Sequence, residues 1–151
     1  MLVTRLMASV ALLFSATTTI PTQDIIAPEP INPCKVSVEA CITKYFPENP
    51  KLAKAVFTAE SQLDPKQIGY NCRYNKTATT TYVTVCKKED IAKAISKDCG
   101  LAQINEQNYK GDKNDLLDLE TNMKVARLVY EEQTWRAWYV YRDGKYLQYL
   151  E

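Results

Sequence analysis

Two carboxylates in this sequence, Glu60 and Asp98, are candidates for acid–base chemistry. Glu60 lies four residues after Val56 and three after Phe57, spacings that place side chains on one helical face. Its carboxyl is therefore expected at the edge of an apolar stripe, where loss of water disfavours the charged form. A carboxylic acid that keeps its proton near neutral pH is what general-acid catalysis requires. By position alone, Glu60 reads as a solvated glutamate at a helix end, the common case for this residue type. Asp98, just before Cys99-Gly100, is the second candidate. It is expected in a loop, where functional residues often sit, although an Asp before a Gly is also ordinary turn chemistry.

The composition narrows which reactions these groups can serve. The 151 residues include no histidine. That excludes Ser–His and Cys–His nucleophile pairs and every histidine-ligated metal site. Acid–base work must fall to Asp, Glu, Lys, Tyr or Cys. The formal net charge of +1 gives no global attraction to nucleic acid or to an anionic membrane. No metal or cofactor is expected.

The elements that must position the carboxylates can be read from periodicity and punctuation. Ser37 is a cap for a short helix, Val38 to Phe46, ended by Pro47. Asn49-Pro50 is a second start signal, and Leu52, Val56, Ala59 and Leu63 form one stripe. This helix, which carries Glu60, is expected to stop at Asp64-Pro65. Thr79 to Val85 is β-branched and aromatic and reads as a strand. Tyr70 to Tyr74 is its expected partner, with the turn near Asn75-Lys76-Thr77. Ile91, Ala94 and Ile95 suggest a short helical turn. Ser96 to Asn105 reads as a loop. Leu119, Met123, Ala126 and Tyr130 mark a core-facing helix capped by Asp118. The class is α+β, mostly helical, in one domain with a small β-hairpin insertion.

The chain's beginning reads as a sorting signal over residues 1–20: Arg5, a short apolar run from Leu6 to Phe14, then small residues. A buried N-terminal helix is the other reading of that run. Residues 21–36 are proline-rich and read as a flexible linker, leaving residues 37–151 for the domain. Five cysteines in so short a chain suit an oxidising, exported environment. They allow many pairings. The pairing adopted is Cys34 with Cys41 and Cys72 with Cys86, leaving Cys99 free. The second bridge would staple the hairpin.

The local strings give these residues a context. Ala59-Glu60-Ser61 is followed by Leu63-Asp64-Pro65, then Ile68-Gly69-Tyr70-Asn71, then Asp98-Cys99-Gly100-Leu101-Ala102-Gln103-Ile104-Asn105. In order and composition this resembles the lysozyme-like superfamily. It is most similar to the SLT-type lytic transglycosylases, especially the small ones that accompany bacterial secretion machines; the second block also resembles c-type lysozymes. The resemblance covers roughly residues 37 to 141. It implies a lysozyme-like domain that cleaves the MurNAc-β-1,4-GlcNAc bond of peptidoglycan, with Glu60 as the acid. Ser61 would help shape the site, and Gln103 and Asn105 would line the glycan cleft. Asp98 matches the second carboxylate of c-type lysozymes, a position the transglycosylases do not need for chemistry. The Ala-Tyr-Asn-Ala-Gly-like block that usually closes the transglycosylase domain is missing. Trp135, Trp138 or Tyr139 would supply its aromatic function, since ring faces pack on sugars. Trp135 and Trp138 are equally described as core residues.

The implied partner is the peptidoglycan glycan strand. The protein is expected to work as a monomer, secreted or periplasmic at a bacterial envelope, with no nucleic acid and no membrane beyond the export signal. Three rival readings remain: a lysozyme-type hydrolase using Asp98, a glycan-binding relative that does not cut, and a small disulfide-stapled inhibitor or structural protein. The last would explain the cysteines but not the ordered Glu-Ser and Gly-Leu-Ala-Gln-Ile-Asn blocks.

Overall fold

Helix punctuation organises the first half of the fold. A computed structural model describes residues 29–150; the expected signal segment, and residues 21–28 of the expected linker, lie outside the described residues. Helix α1 (Val38–Tyr45) starts where Ser37 Oγ accepts from the Ala40 N–H at 3.0 Å. Helix α2 (Pro50–Ser61) starts where Asn49 Oδ1 accepts from the Leu52 N–H at 3.1 Å. Both caps satisfy amides that a helix start leaves without partners. The expected end of α2 at Asp64-Pro65 is corrected. Gln62 and Leu63 both take left-handed backbone, φ 58° and 61°, so the helix closes at Ser61 and Glu60 sits in its last turn.

The expected hairpin is present as β1 (Ile68–Asn75) and β2 (Thr81–Val85), paired antiparallel with Cys72 opposite Thr84. It is part of something larger. Ser96–Cys99 and Ile104–Asn105 form β3 and β4, completing an antiparallel sheet of order β2-β1-β3-β4. The loop expected for Ser96 to Asn105, and for Asp98 in particular, is therefore corrected to two short strands and the turn between them. The physical reason is the second edge of β1. Its residues Ile68–Asn71 have backbone groups that need partners, and Ser96–Cys99 supply them. Neither strand is long enough to show a period in the sequence. Side chains alternate across a sheet. Gly69, Asn71, Ser96, Asp98 and Asn105 thus share one face, while Cys72, Cys99 and Ile104 are buried on the other.

A 3-10 turn (Lys88–Lys93) follows the hairpin near the helical turn expected there. Helix α3 (Leu119–Gln133) begins at Asp118, whose carboxylate accepts from the Thr121 N–H at 2.9 Å. Met123 and Ala126 of the predicted stripe are buried, with Leu119 and Tyr130 packed against them. The chain closes through a 3-10 turn (Thr134–Ala137), the short helix α4 (Tyr139–Arg142) and a final turn. Phe46, Phe57, Trp135 and Trp138 form the aromatic centre of the core; Phe46 and Trp135 centroids are 5.2 Å apart, and Trp135 and Trp138 are 5.6 Å apart. The molecule is α+β.

Two disulfides are formed, Cys34–Cys41 and Cys72–Cys86, and Cys99 is free and buried. Two bridges suit an oxidising environment. Among the described residues no helix is long and apolar enough to cross a membrane. One compact unit begins at Ile31. Pro33–Lys35 form a 3-10 turn, and Cys34 packs against the core and bridges to α1.

Candidate active site

Glu60 reaches the site from the end of α2, with Phe57 and Val56 of the same helix fully buried behind it. The left-handed Gln62 and Leu63 that follow turn the chain away at once, and Ser61 locks this junction. Its hydroxyl is buried within hydrogen-bond distance of the Phe57 carbonyl (3.1 Å) and the Leu101 carbonyl (2.8 Å). Ser61 therefore does not line the cleft. It ties the end of α2 to the turn between β3 and β4 and so positions Glu60.

Asp98 comes from the sheet. Its Oδ2 accepts from the Asn71 amide at 2.8 Å and its Oδ1 from the Asn105 amide at 2.8 Å. The same two amides also reach Ser96 Oγ, at 3.4 and 3.1 Å. Both carboxylate oxygens are thus held by neutral amide donors, which fixes the orientation of the carboxylate. Asn105 Oδ1 is occupied separately by the Gln107 N–H at 3.0 Å.

Behind this face the β3–β4 turn is built around Gly100 and Asn122. Asn122 is fully buried on α3, accepts from the Ala102 N–H, and donates to the Cys99 and Leu116 carbonyls, each at 2.8 Å. A Cβ on Gly100, at φ 73°, would lie 2.3 Å from both the Asn122 amide nitrogen and the Leu116 carbonyl oxygen, so only glycine fits. Gln103, left-handed at φ 49°, donates to the Gly100 and Gln67 carbonyls at 2.9 and 3.2 Å. Its Oε1 lies 2.8 Å from where a Gly69 Cβ would stand, so Gly69 makes room for Gln103 at the cleft wall. Left-handed non-glycine backbone is costly and collects where function demands it.

These groups open onto one cleft of about 1270 Å³, lined by Glu60, Asp98, Gln103 and Asn105 with parts of α3 and the final segment. That exceeds the roughly 300–1,000 Å³ usual for small-molecule pockets and suits an extended ligand. The Glu60 carboxyl is pushed up to about 7, first by burial and then by the negative charge of Asp98; the Val140 backbone N–H and the Lys145 ammonium oppose the rise. The two carboxylates are therefore electrically coupled, one half-buried and prone to hold a proton, the other clamped by amides.

Trp138 and Tyr139 both border the cleft but differ in character. Trp138 is 5% exposed and its indole N–H donates to the Ala102 carbonyl at 2.9 Å, so its body serves the core. Tyr139 is 71% exposed, with the Arg142 guanidinium 3.8 Å from its ring centroid. Trp135 packs in the core and does not border this cleft. Sequence reasoning assigned no role to Asn71, Ser96, Asn122, Val140 or Lys145. Asn71 and Ser96 each lie two residues from Gly69 or Asp98, the strand period that would have put them on the same face; Val140 and Lys145 leave no such trace. Among the described residues no group of three or more His, Cys, Asp or Glu side chains is placed to hold a metal ion. No known protein family, curated protein or solved structure matches this chain.

Proposed function

We propose that the protein is a lytic transglycosylase of bacterial peptidoglycan, with a lysozyme-like domain, acting outside the cytoplasm. The observation that carries this reading is Glu60: a half-buried carboxyl raised to about 7 by burial and by the charge of a second carboxylate, Asp98, in a cleft of about 1270 Å³. A proton-holding acid is what cleavage of a glycosidic bond needs. Glu60 protonates the oxygen joining MurNAc to GlcNAc, and the bond from the anomeric carbon to that oxygen breaks. The amide-held carboxylate of Asp98 supports the oxocarbenium-like centre through its charge. Glu60, now ionised, takes the proton of the sugar's own 6-hydroxyl as that oxygen bonds to the anomeric carbon. The product is a 1,6-anhydro end; no water is consumed, and Glu60 regains its proton. Gln103 and Asn105 border the strand, and Tyr139 offers an exposed ring to it. The ordered Glu-Ser and Gly-Leu-Ala-Gln-Ile-Asn blocks support the family reading.

The clamp on Asp98 favours a second reading, a lysozyme-type hydrolase in which water attacks and Asp98 supports the cation or acts as nucleophile. Digesting purified peptidoglycan with the wild-type protein and with Glu60→Gln, then weighing the released muropeptides, separates the two. Products lighter by one water and absent with the variant are expected. Ordinary reducing ends would replace the transglycosylase with the hydrolase. No release from either protein, with binding retained, would leave a glycan-binding module.

A further inference from the structure

The sheet face that carries Asp98 does not stop at the cleft's centre. Arg73 lies two residues beyond Asn71 on β1 and directly opposite Val83 on β2. Alternation therefore places Arg73, Val83 and Val85 on the same face as Asn71 and Asp98. Val83 and Val85 are 54% and 70% exposed and border the cleft. Arg73 is exposed and makes no salt bridge among the described residues. The segment from Ile68 to Asn105 that contains it carries six Lys or Arg against three Asp or Glu. The cleft thus runs outward from two carboxylates onto an apolar strip flanked by an uncompensated guanidinium.

A naked glycan strand offers such a strip only the lactyl groups of its MurNAc sugars, which stay close to the sugar rings, whereas the peptide stems reach away from them. The peptide stems of peptidoglycan carry both matching features: alanine methyl groups for the valines and free carboxylates for a guanidinium fork. Resting on the function proposed above, we infer that the hairpin face bearing Arg73, Val83 and Val85 binds the carboxylate-bearing peptide stem of the strand in the cleft. The protein then cuts stem-bearing glycan in preference to naked glycan.

The test compares intact, polymer-free sacculi with the same sacculi stripped of peptides by an amidase, using wild-type protein, Arg73→Glu and Arg73→Lys. The wild type is expected to release product several-fold faster from stem-bearing walls. Arg73→Glu should slow that release about ten-fold and leave stripped glycan unchanged, while Arg73→Lys should keep most of the rate. Equal rates on the two walls, or a defect of Arg73→Glu that persists on stripped strands, would overturn the inference. So would a defect seen only on walls that retain phosphate-bearing polymers. Cosedimentation of Glu60→Gln and of Glu60→Gln/Arg73→Glu with the two walls reads binding without cutting. If the wild type cuts neither wall, the transglycosylase reading fails. The hairpin inference then stands or falls on whether Glu60→Gln prefers stem-bearing walls and the double variant loses that preference.

Discussion

At the scale of single residues, the role proposed for Glu60 sets stability against catalysis. Its folded-state carboxyl is raised from 4.5 to about 7, so the folded protein binds the proton more tightly than the unfolded chain does. The associated stability is complete below about pH 4.5 and is lost as the pH rises through 7. On the proposed mechanism Glu60→Gln should lower wall cleavage about 10²–10⁴-fold, the loss of a general acid. It should also stabilise the protein at pH 8 by about 2–3 kcal/mol relative to the wild type, readable in denaturant melts at pH 4 and pH 8; a solvated glutamate would give no such gain. Activity should decline on the alkaline side of about pH 7, where the acid loses its proton. Asp98→Asn removes one cause of the raised value, so that limb should move to lower pH in a kcat/KM profile. A fall of more than a hundred-fold in the same variant would point to the hydrolase. The position of Glu60 was legible because a 3.6-residue period places it beside Val56 and Phe57. Its partnership with Asp98 was legible only through resemblance. Nothing local in the sequence announces that Asn71 and Asn105 grip Asp98, since that contact depends on which strands pair.

At the scale of elements, the β3–β4 turn is the joint on which the site depends. Ser61 reaches it from α2, Asn122 from α3 and the Trp138 indole from the final segment, all through backbone groups between Cys99 and Ala102. Gly100→Ala should cost about 2–4 kcal/mol in a denaturant melt, because it combines left-handed backbone with a clash against a buried amide. Asn122→Leu, similar in size, should cost about 3 kcal/mol or more, since it strands a buried N–H and two carbonyls. Both should lower activity in parallel with stability. The helices were readable because their signals are local: Ser37, Asn49 and Asp118 cap them, and apolar stripes run along them. The end of α2 was misread because Gln62 and Leu63 are not residues that usually turn left-handed. The sheet was half readable. Thr81 to Val85 has strand composition, whereas Ser96–Cys99 and Ile104–Asn105 become strands only because β1 offers them an edge.

At the scale of the whole molecule, the core alone does not fasten every part. Every residue of β2 is exposed, so the hairpin relies on its ladder and on the Cys72–Cys86 bridge. Replacing both cysteines with serine should lower stability by about 3 kcal/mol on the loop-entropy estimate. It should raise amide exchange in Thr81–Val85 far more than in α3, as hydrogen-exchange mass spectrometry would show. The pairing itself follows the simplest possible map. Each bridged cysteine is joined to the next cysteine along the chain, 34 to 41 and 72 to 86, leaving Cys99 over. A polypeptide threading out of a narrow pore presents its thiols one at a time, in that order. An oxidant that simply joins each newcomer to the thiol already waiting writes the native pattern at the first attempt. For a chain that meets its oxidant in that order, consecutive pairing needs no shuffling step, and Cys99 is left without a partner, buried in the fold.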